Sequence, residues 1–469
     1  MSEQPQQPQQ FDPPRDSVRT DRPVREDRPA GTEGERTEGD RTEGERVEPG
    51  AGTGPHRGYV AIVDTYHPTR RLIPEFAKAG YECVRVQSGP EVPEAFRRAL
   101  NLDDYADNIV HDGDLEETVR ALAAYRPVAV VPGGEHGVEF ADRLSERMGL
   151  ASNGTRHSAA RRDKYTMIET VKAAGVAGAA QLLVPDEESL RRWHERLGRR
   201  VVVKPLSSGG GDGVFFCDTP DQSAEAYRTL LGAEHIYGGH NEGVVAQEYL
   251  RGAEYIVDTV SRDGRHRVCD IWRTTRLSAN GVLDLCDAIH SVPRSSRAGR
   301  VLAEYAESVL DALGIRHGPG HLEVKLTPEG PRLVEMGARI AGGEIPHYAE
   351  LALGESQLGW TALAYADPDR FHAEYGREYR VRHHFASVAM ISPVEGTLRR
   401  YRHLDKLQQL ESLHDIRTLV APGSPIRPTV NDLTYPLIVN LRHEVKETVL
   451  RDAGTVRYLD GESFYELED

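Results

Sequence analysis

From Gly58 onward the chain alternates short apolar runs with amphipathic stretches of ten or so residues, and this alternation restricts its fold more than any other feature. YVAIVDTY at 59–66 reads as a nearly continuous apolar strand. RLIPEFAKAGYECVRVQS then reads as a helix, a glycine turn and a second strand. After the polar segment NLDDYADNIVHDGD come a helix, LEETVRALAAY, a strand, PVAVVPGGE, and a further helix in EHGVEFADRLSERMGL. Strands separated by helices of this length imply βαβ units around a parallel sheet. VDTYHPTRR, not GxGxxG, follows the first strand, so no dinucleotide is assigned. Gly133-Gly134-Glu135 stands at the carboxyl end of a predicted strand, where open parallel sheets bind ligands; a tight turn would explain it equally well.

The 469 residues suggest about three compact units. Up to about Pro55 the sequence is Gln/Pro-rich and then repeats TEGER, TEGDR, TEGER. Such a stretch buries too little surface to offset its ordering entropy, so a disordered tail is expected at 1–56. The expected units are a Rossmann-like parallel α/β domain at 57–157, a nucleotide-binding region at 158–366 and a small α+β unit at 367–469. The net charge of -16 argues against a nucleic-acid surface. No apolar run approaches the roughly 20 residues of a membrane span, and no secretory signal opens the chain, so a cytoplasmic location is expected. Cys83, Cys217, Cys269 and Cys286 form no CxxC pair and read as buried thiols.

Three segments carry chemistry. The β-branched strand VVVKP ends near Lys204 and runs into SSGGGDG. A lysine fixed by a strand can meet a nucleotide phosphate, and the glycines let backbone N–H groups approach it. The Walker order is absent, because the lysine precedes the glycines. Next comes AQEYLRGAEYIVD, in which Gln247, Tyr249 and Leu250 could supply main-chain bonds and an apolar wall for a base. Glu254 could accept from a ribose, although Glu248 and Glu254 taken alone read as ordinary solvent-facing strand carboxylates. Third, HLEVKL and RLVEMGARIAGG flank the turn TPEGP, which brings Glu323 near Glu335 if both face one side. Two adjacent carboxylates call for a cation, and hard Mg²⁺ suits them together with phosphates. Arg339 follows, able to hold a carboxylate or an oxyanion, and then Gly342-Gly343.

Together these segments resemble the ATP-grasp fold across about 158–366, and within it the bacterial L-amino-acid ligase branch, whose GGEHGVEFADRL and RRDKY segments are similar. The resemblance implies that Lys164 and Lys204 contact ATP phosphates beneath a flexible loop from Ser207 to Gly213 that includes Ser208, Gly209, Gly210 and Gly211. It implies that Gln247, Glu248, Tyr249 and Leu250 surround the adenine and Glu254 the ribose. Glu323 and Glu335 would hold Mg²⁺, with Mn²⁺ as a substitute. Arg339 would serve the acyl phosphate, and Gly342, Gly343 and His321 would border the substrate. Family members commonly carry Asn where this chain has Gly337, which puts a second metal site in question. His383 and His384 read as structural.

The expected activity is an ATP-dependent joining of two amino acids through an acyl phosphate, giving a dipeptide or a γ-glutamyl amide in specialised metabolism such as antibiotic biosynthesis. Its partners would be small-molecule amino-acid substrates, with no nucleic acid and no membrane, and with a homodimer left open. The alternatives are another ATP-grasp ligase of the purine-pathway or carboxylase type, and a non-catalytic nucleotide-binding module.

Overall fold

The computed structural model describes residues 56–66, 69–92, 94–97, 100–209, 211–234 and 239–468. Residues 1–55 of the expected disordered tail, and Gly210 of the glycine loop, lie outside the described residues.

The alternation read from Gly58 produces a four-stranded sheet in the order β3-β2-β1-β4, from β1 (Gly58–Val63), β2 (Tyr81–Gln87), β3 (Asp107–Val110) and β4 (Val130–Pro132). Every pair in it is parallel. Helices α1 (Leu72–Lys78), α2 (Glu94–Arg97), α3 (Leu115–Ala123) and α4 (Val138–Arg147) accompany the strands. Val60 and Ile62 pack on Leu72 and Phe76 on one face, while Ala61, Val63, Val84 and Val86 meet Leu122, Phe140 and Leu144 on the other. Burial on both faces explains why β1 reads as an unbroken apolar run. β3 lies inside the segment read as merely polar. It is an edge strand none of whose residues is fully buried, so no apolar alternation marks it.

Helix α5 (Lys164–Ala173) starts where the Asp163 side chain accepts from the Thr166 amide at 2.6 Å. It leads to a second, antiparallel sheet in the order β5-β8-β6-β7. Its strands are β5 (Gln181–Leu183), β6 (Val201–Pro205), β7 (Phe215–Cys217) and β8 (Val244–Glu248), backed by α6 (Glu187–Leu197) and α7 (Pro220–Leu230). A reciprocal capping box between Thr219 and Gln222, with Pro220 at the first turn, fixes the start of α7.

The third sheet has eight strands in the order β13-β12-β9-β10-β11-β14-β18-β16. They are β9 (Ala253–Arg262), β10 (Arg265–Ala279), β11 (Val282–Ser291), β12 (Gly318–Thr327), β13 (Gly330–Gly337), β14 (His384–Ala389), β16 (Leu413–Thr418) and β18 (Leu437–His443). Helix α8 (Arg297–Ala312) buries Leu302, Ala306, Val309 and Leu310 in the core that also holds Val257, Leu322 and Val324. Helices α9 (Ile345–Leu353), α10 (Gln357–Ala366) and α11 (Pro368–Glu374) follow. Because β14, β18 and β16 continue this sheet, it runs across the boundary drawn at 366/367. The rest of the C-terminal region adds β15 (Gly396–Tyr401), β17 (Pro425–Ile426), β19 (Tyr465–Leu467), α12 (Leu404–Gln408) and α13 (Lys446–Leu459), around Leu398, Val439, Val456 and Phe464. All four cysteines are free thiols, Cys286 being partly exposed. No helix among the described residues is long and apolar enough to cross a membrane.

Candidate functional site

Glu323 and Glu335 are direct partners in the antiparallel β12–β13 ladder, so both side chains leave the same face of the sheet. The ladder slips immediately beyond them, between Glu323 and Val324. Burial would raise the Glu323 carboxyl, but hydrogen bonding and charge from His321, with Arg276 and Arg339 behind, hold it down to about 2. The anionic form is therefore the one the site keeps. Glu335 is bound by Lys164 at 2.8 Å, and the same ammonium donates to the Ser208 carbonyl at 2.7 Å. Among the described residues no group of three or more His, Cys, Asp or Glu is arranged to hold a metal ion. Two facing carboxylates nevertheless fit the oxygen chemistry of a Mg²⁺ ion that completes its shell with phosphates and water.

Lys204 projects from β6 and is 4 % exposed. Burial lowers its ammonium to about 8, neighbouring Lys164 adds to the effect, and Glu335, Glu323 and Glu254 oppose it. Two lysines and two carboxylates thus meet where the second and third sheets adjoin. Above them the loop after β6 turns back through Gly211 and Gly213, both with positive φ, while Ser208 Oγ donates to the Asp212 carbonyl at 2.9 Å.

On the next segment the candidate adenine and ribose residues separate. Gln247 is buried and donates to Gln181 Oε1 at 2.8 Å. The Glu248 side chain is engaged by the Ala180 amide at 2.8 Å and by Arg199. Tyr249 donates to Asp284 at 3.0 Å, with the Lys325 ammonium 5.2 Å from its ring centre. Leu250 is half-buried. Glu254 is not the solvent-facing carboxylate that its strand position alone suggests; it is buried, bound by Arg276 and 3.4 Å from Lys325.

Arg339 donates through Nε to Glu135 Oε2 at 2.8 Å and through NH1 to its neighbour's carbonyl, Ile340 O, at 3.0 Å. Arg162 donates to the other oxygen of Glu135 at 2.7 Å. Burial would raise Glu135, but Arg339 and Arg162, with Lys164 beyond, bring it down to about 2. A Cβ at position 337 would stand 2.8 Å from Glu135 Oε2 and 3.2 Å from Arg339 Cζ. Glycine there leaves room for this ion pair as it stands. His321 Nδ1 donates to Asp258 Oδ1 at 2.7 Å, and the ring lies 3.8 Å from Glu323. Burial lowers it, yet Asp258 raises it to about 9. Gly342 has open space around its Cα, and Gly343 adopts φ +60° beside Glu344, which is buried between Arg71 at 2.7 Å and Arg417 at 3.7 Å. His383 accepts from Arg442 at 2.9 Å, away from these groups.

The structure therefore gathers Lys164, Lys204, Glu323, Glu335, Arg339 and His321, and adds Glu135, Arg162, Arg276, Lys325, Arg71 and Arg417. Two of the additions carried a signal in the sequence: Glu135 in its strand-end GGE, and Arg162 inside RRDKY.

Residues 197–347 match the family described as ATP-grasp domain. Dapdiamide A synthase of Enterobacter agglomerans is 32% identical over 416 residues, covering 87% of this chain and 97% of that protein. An L-arginine-specific L-amino acid ligase of Bacillus subtilis is 27% identical over 231 residues, 48% of this chain and 55% of that one. The crystal structure of an L-amino acid ligase from Bacillus licheniformis superposes with a TM-score of 0.67 at 18% identity, covering 89% of this chain and all of that one.

Proposed function

The chain belongs to the amino-acid ligases of the ATP-grasp superfamily, enzymes that form carbon–nitrogen bonds at the expense of ATP, and from that premise we propose that it joins two amino acids through an acyl phosphate. The observation that carries the reading is the meeting of Glu323, Glu335, Lys164, Lys204 and Arg339 at one edge of the large sheet. In this reading Lys164 and Lys204 bind the ATP phosphates, and Glu254 and the Gln247–Leu250 segment take the ribose and adenine. Mg²⁺ held by Glu323 and Glu335 would neutralise charge that develops on the transferred phosphoryl group.

A carboxylate oxygen of the first amino acid attacks the γ-phosphorus, and the bond to ADP breaks. In this reading Arg339 holds that carboxylate, and the bond from its Nε to Glu135 supports the role by fixing the guanidinium. The amine of the second amino acid then attacks the acyl carbon. The C–N bond forms, phosphate leaves and the amine loses a proton. Closure of the Ser207–Gly213 loop keeps water from the acyl phosphate. The product is a dipeptide or a γ-glutamyl amide, and likeness to dapdiamide A synthase over nearly its whole length supports a role in specialised metabolism.

ADP release measured against pairwise amino-acid mixtures, with mass spectrometry of the product, tests the proposal. ADP appearing only when two amino acids are present, together with a product of their summed mass less one water, is the expected result. Bicarbonate-dependent turnover, or none with any pair, would overturn it.

A further inference from the structure

Among the described residues three arginines are fully buried, and two of them answer to a carboxylate. Arg161 lies 3.4 Å from Asp142, and Arg267 lies 3.1 Å from Glu355. Arg85 on β2, with no exposed surface, does not. Its Nη1 donates to the neutral oxygens of Gln87 at 3.0 Å and Asn108 at 2.7 Å, while Nε and Nη2 make no well-formed hydrogen bond among the described residues beyond their approach to the Tyr66 phenol. A buried guanidinium that meets two amides and the Tyr66 phenol, with no carboxylate within ion-pair distance among the described residues, is costly unless an anion joins it.

Beside it stands the complementary half. Asp64, directly after β1, is 1 % exposed and holds φ at +52°. One carboxylate oxygen accepts from the Ser88 amide at 3.0 Å, whereas Oδ2 has no partner among the described residues. No ion pair joins Asp64 to Arg85, although both act on the Tyr66 phenol: burial raises it to about 12, Asp64 adds to the rise and Arg85 opposes it. The Arg85 guanidinium carbon is 5.3 Å from the Tyr66 ring centre. Tyr66 stacks on Phe96 at 5.0 Å and leans on His136 at 5.5 Å, forming an aromatic roof.

The location matters as much as the charges. β1 is flanked by β2 on one side and β4 on the other, so the strand order reverses at β1. Ligands of open parallel sheets bind at the carboxyl ends beside such a reversal. Close packing brings the β4 end onto this place, since a Cβ on Gly134 would meet the Asp64 carbonyl at 2.6 Å. His136, after burial lowers it, feels Asp64 on one side and Arg162 and Arg339 on the other. His136 thus stands within electrostatic reach of both Asp64 and Arg339.

We propose that these buried groups at the carboxyl ends of β1 and β2 form the subsite for the amino acid that supplies the amine, its carboxylate on Arg85 Nε and Nη2 and its amino group held by Asp64 Oδ2. The inference rests on the ligase reading above. That reaction contains at least two carboxylates: the one that reacts belongs beside Arg339 and the phosphates, and the donor's own, which never reacts, needs a second cation. Arg85 is the buried cation left without an anion. Entry requires Tyr66 to turn off Phe96.

The test uses the full chain and the pair of amino acids found to give product. Hydroxylamine traps the acyl phosphate without the donor, so the two substrates can be followed separately. Arg85→Gln should raise the donor's KM about thirtyfold, the cost of a lost charge-assisted bond, while the KM of the activated amino acid in the trapped reaction moves less than about threefold. The donor's carboxamide, which has no carboxylate to lose, should serve wild type and variant with similar KM. Asp64→Asn, isosteric with the native side chain, should also raise the donor's KM, and it carries the test alone if Arg85→Gln does not fold. A donor KM that stays put, or equal losses for donor, carboxamide and activated substrate, overturns the subsite. No ADP release from the wild-type chain with any pair overturns the ligase reading and the subsite with it.

Discussion

Charge at single residues sets the first two expectations. Glu335 pairs across the ladder with Glu323 and is held by Lys164, so Glu335→Gln removes a metal oxygen's charge and leaves the lysine without its counter-ion. ADP release should fall by about a thousandfold or more, since charge stabilisation at a transferred phosphoryl group is worth several kcal/mol. An unchanged far-UV circular dichroism spectrum would show that the fold survives, and ADP release retained above a tenth of wild type would contradict the assignment. Lys204 gives a pH dependence with a definite sign. Buried down to about 8 from 10.5, it is charged in both folded and unfolded chains below pH 8, where the folded state bears the full desolvation cost. Between about 8 and 10.5 the unfolded chain binds more protons, so this group's contribution to stability rises with pH and is complete above 10.5. ATP phosphates should restore the proton, so nucleotide binding at pH 9 takes up a proton. Calorimetry in buffers of different ionisation enthalpy measures this, and Lys204→Met should abolish the uptake.

At the scale of elements, what the sequence disclosed tracks what local spacing encodes. The β12–β13 hairpin was legible because TPEGP forces the two strands together, and the carboxylates then follow from period-two geometry. β6 was legible because its valines are β-branched and mostly buried. β3 was not, because an edge strand buries no full face and leaves no alternation to read. The glycine loop was legible only as a class. Gly211 and Gly213 both hold positive φ, but a Cβ at 211 would meet nothing, whereas at 213 it would stand 2.9 Å from both Leu230 Cδ2 and Pro205 Cγ. Gly211→Ala should therefore cost about 1 kcal/mol from backbone strain alone, and Gly213→Ala about 2–3 kcal/mol as packing against α7 is added. Urea unfolding of the two variants compares them directly. Equal losses would show that the contacts beneath Gly213 yield without cost.

Across the whole molecule, the partners that matter most lie far apart in sequence, and no periodicity links them. Arg339 was recognised from its spacing to Glu335, yet what orients it is Glu135, 204 residues earlier, at the end of a parallel strand. The same separation concealed why position 337 is glycine. Its missing side chain withholds an oxygen from a metal shell and also leaves room for the Glu135 carboxylate. Glu135 thus links the N-terminal sheet to the segment that follows β13 and neutralises parts of Arg339 and Arg162 together. Removing only its charge should loosen the orientation of Arg339 without touching the nucleotide. Glu135→Gln should lower kcat for the pairwise reaction by about ten- to a hundredfold, as expected when a buried charge-assisted bond weakens, and leave the KM for ATP within about threefold. Gly337→Asn should do comparable harm in the native background because its side chain meets the Glu135 carboxylate. In a Glu135→Ala background that clash is gone, so Gly337→Asn should cost much less. Kinetics of the four proteins form a double-mutant cycle, and strictly additive losses would sever residue 135 from residue 337.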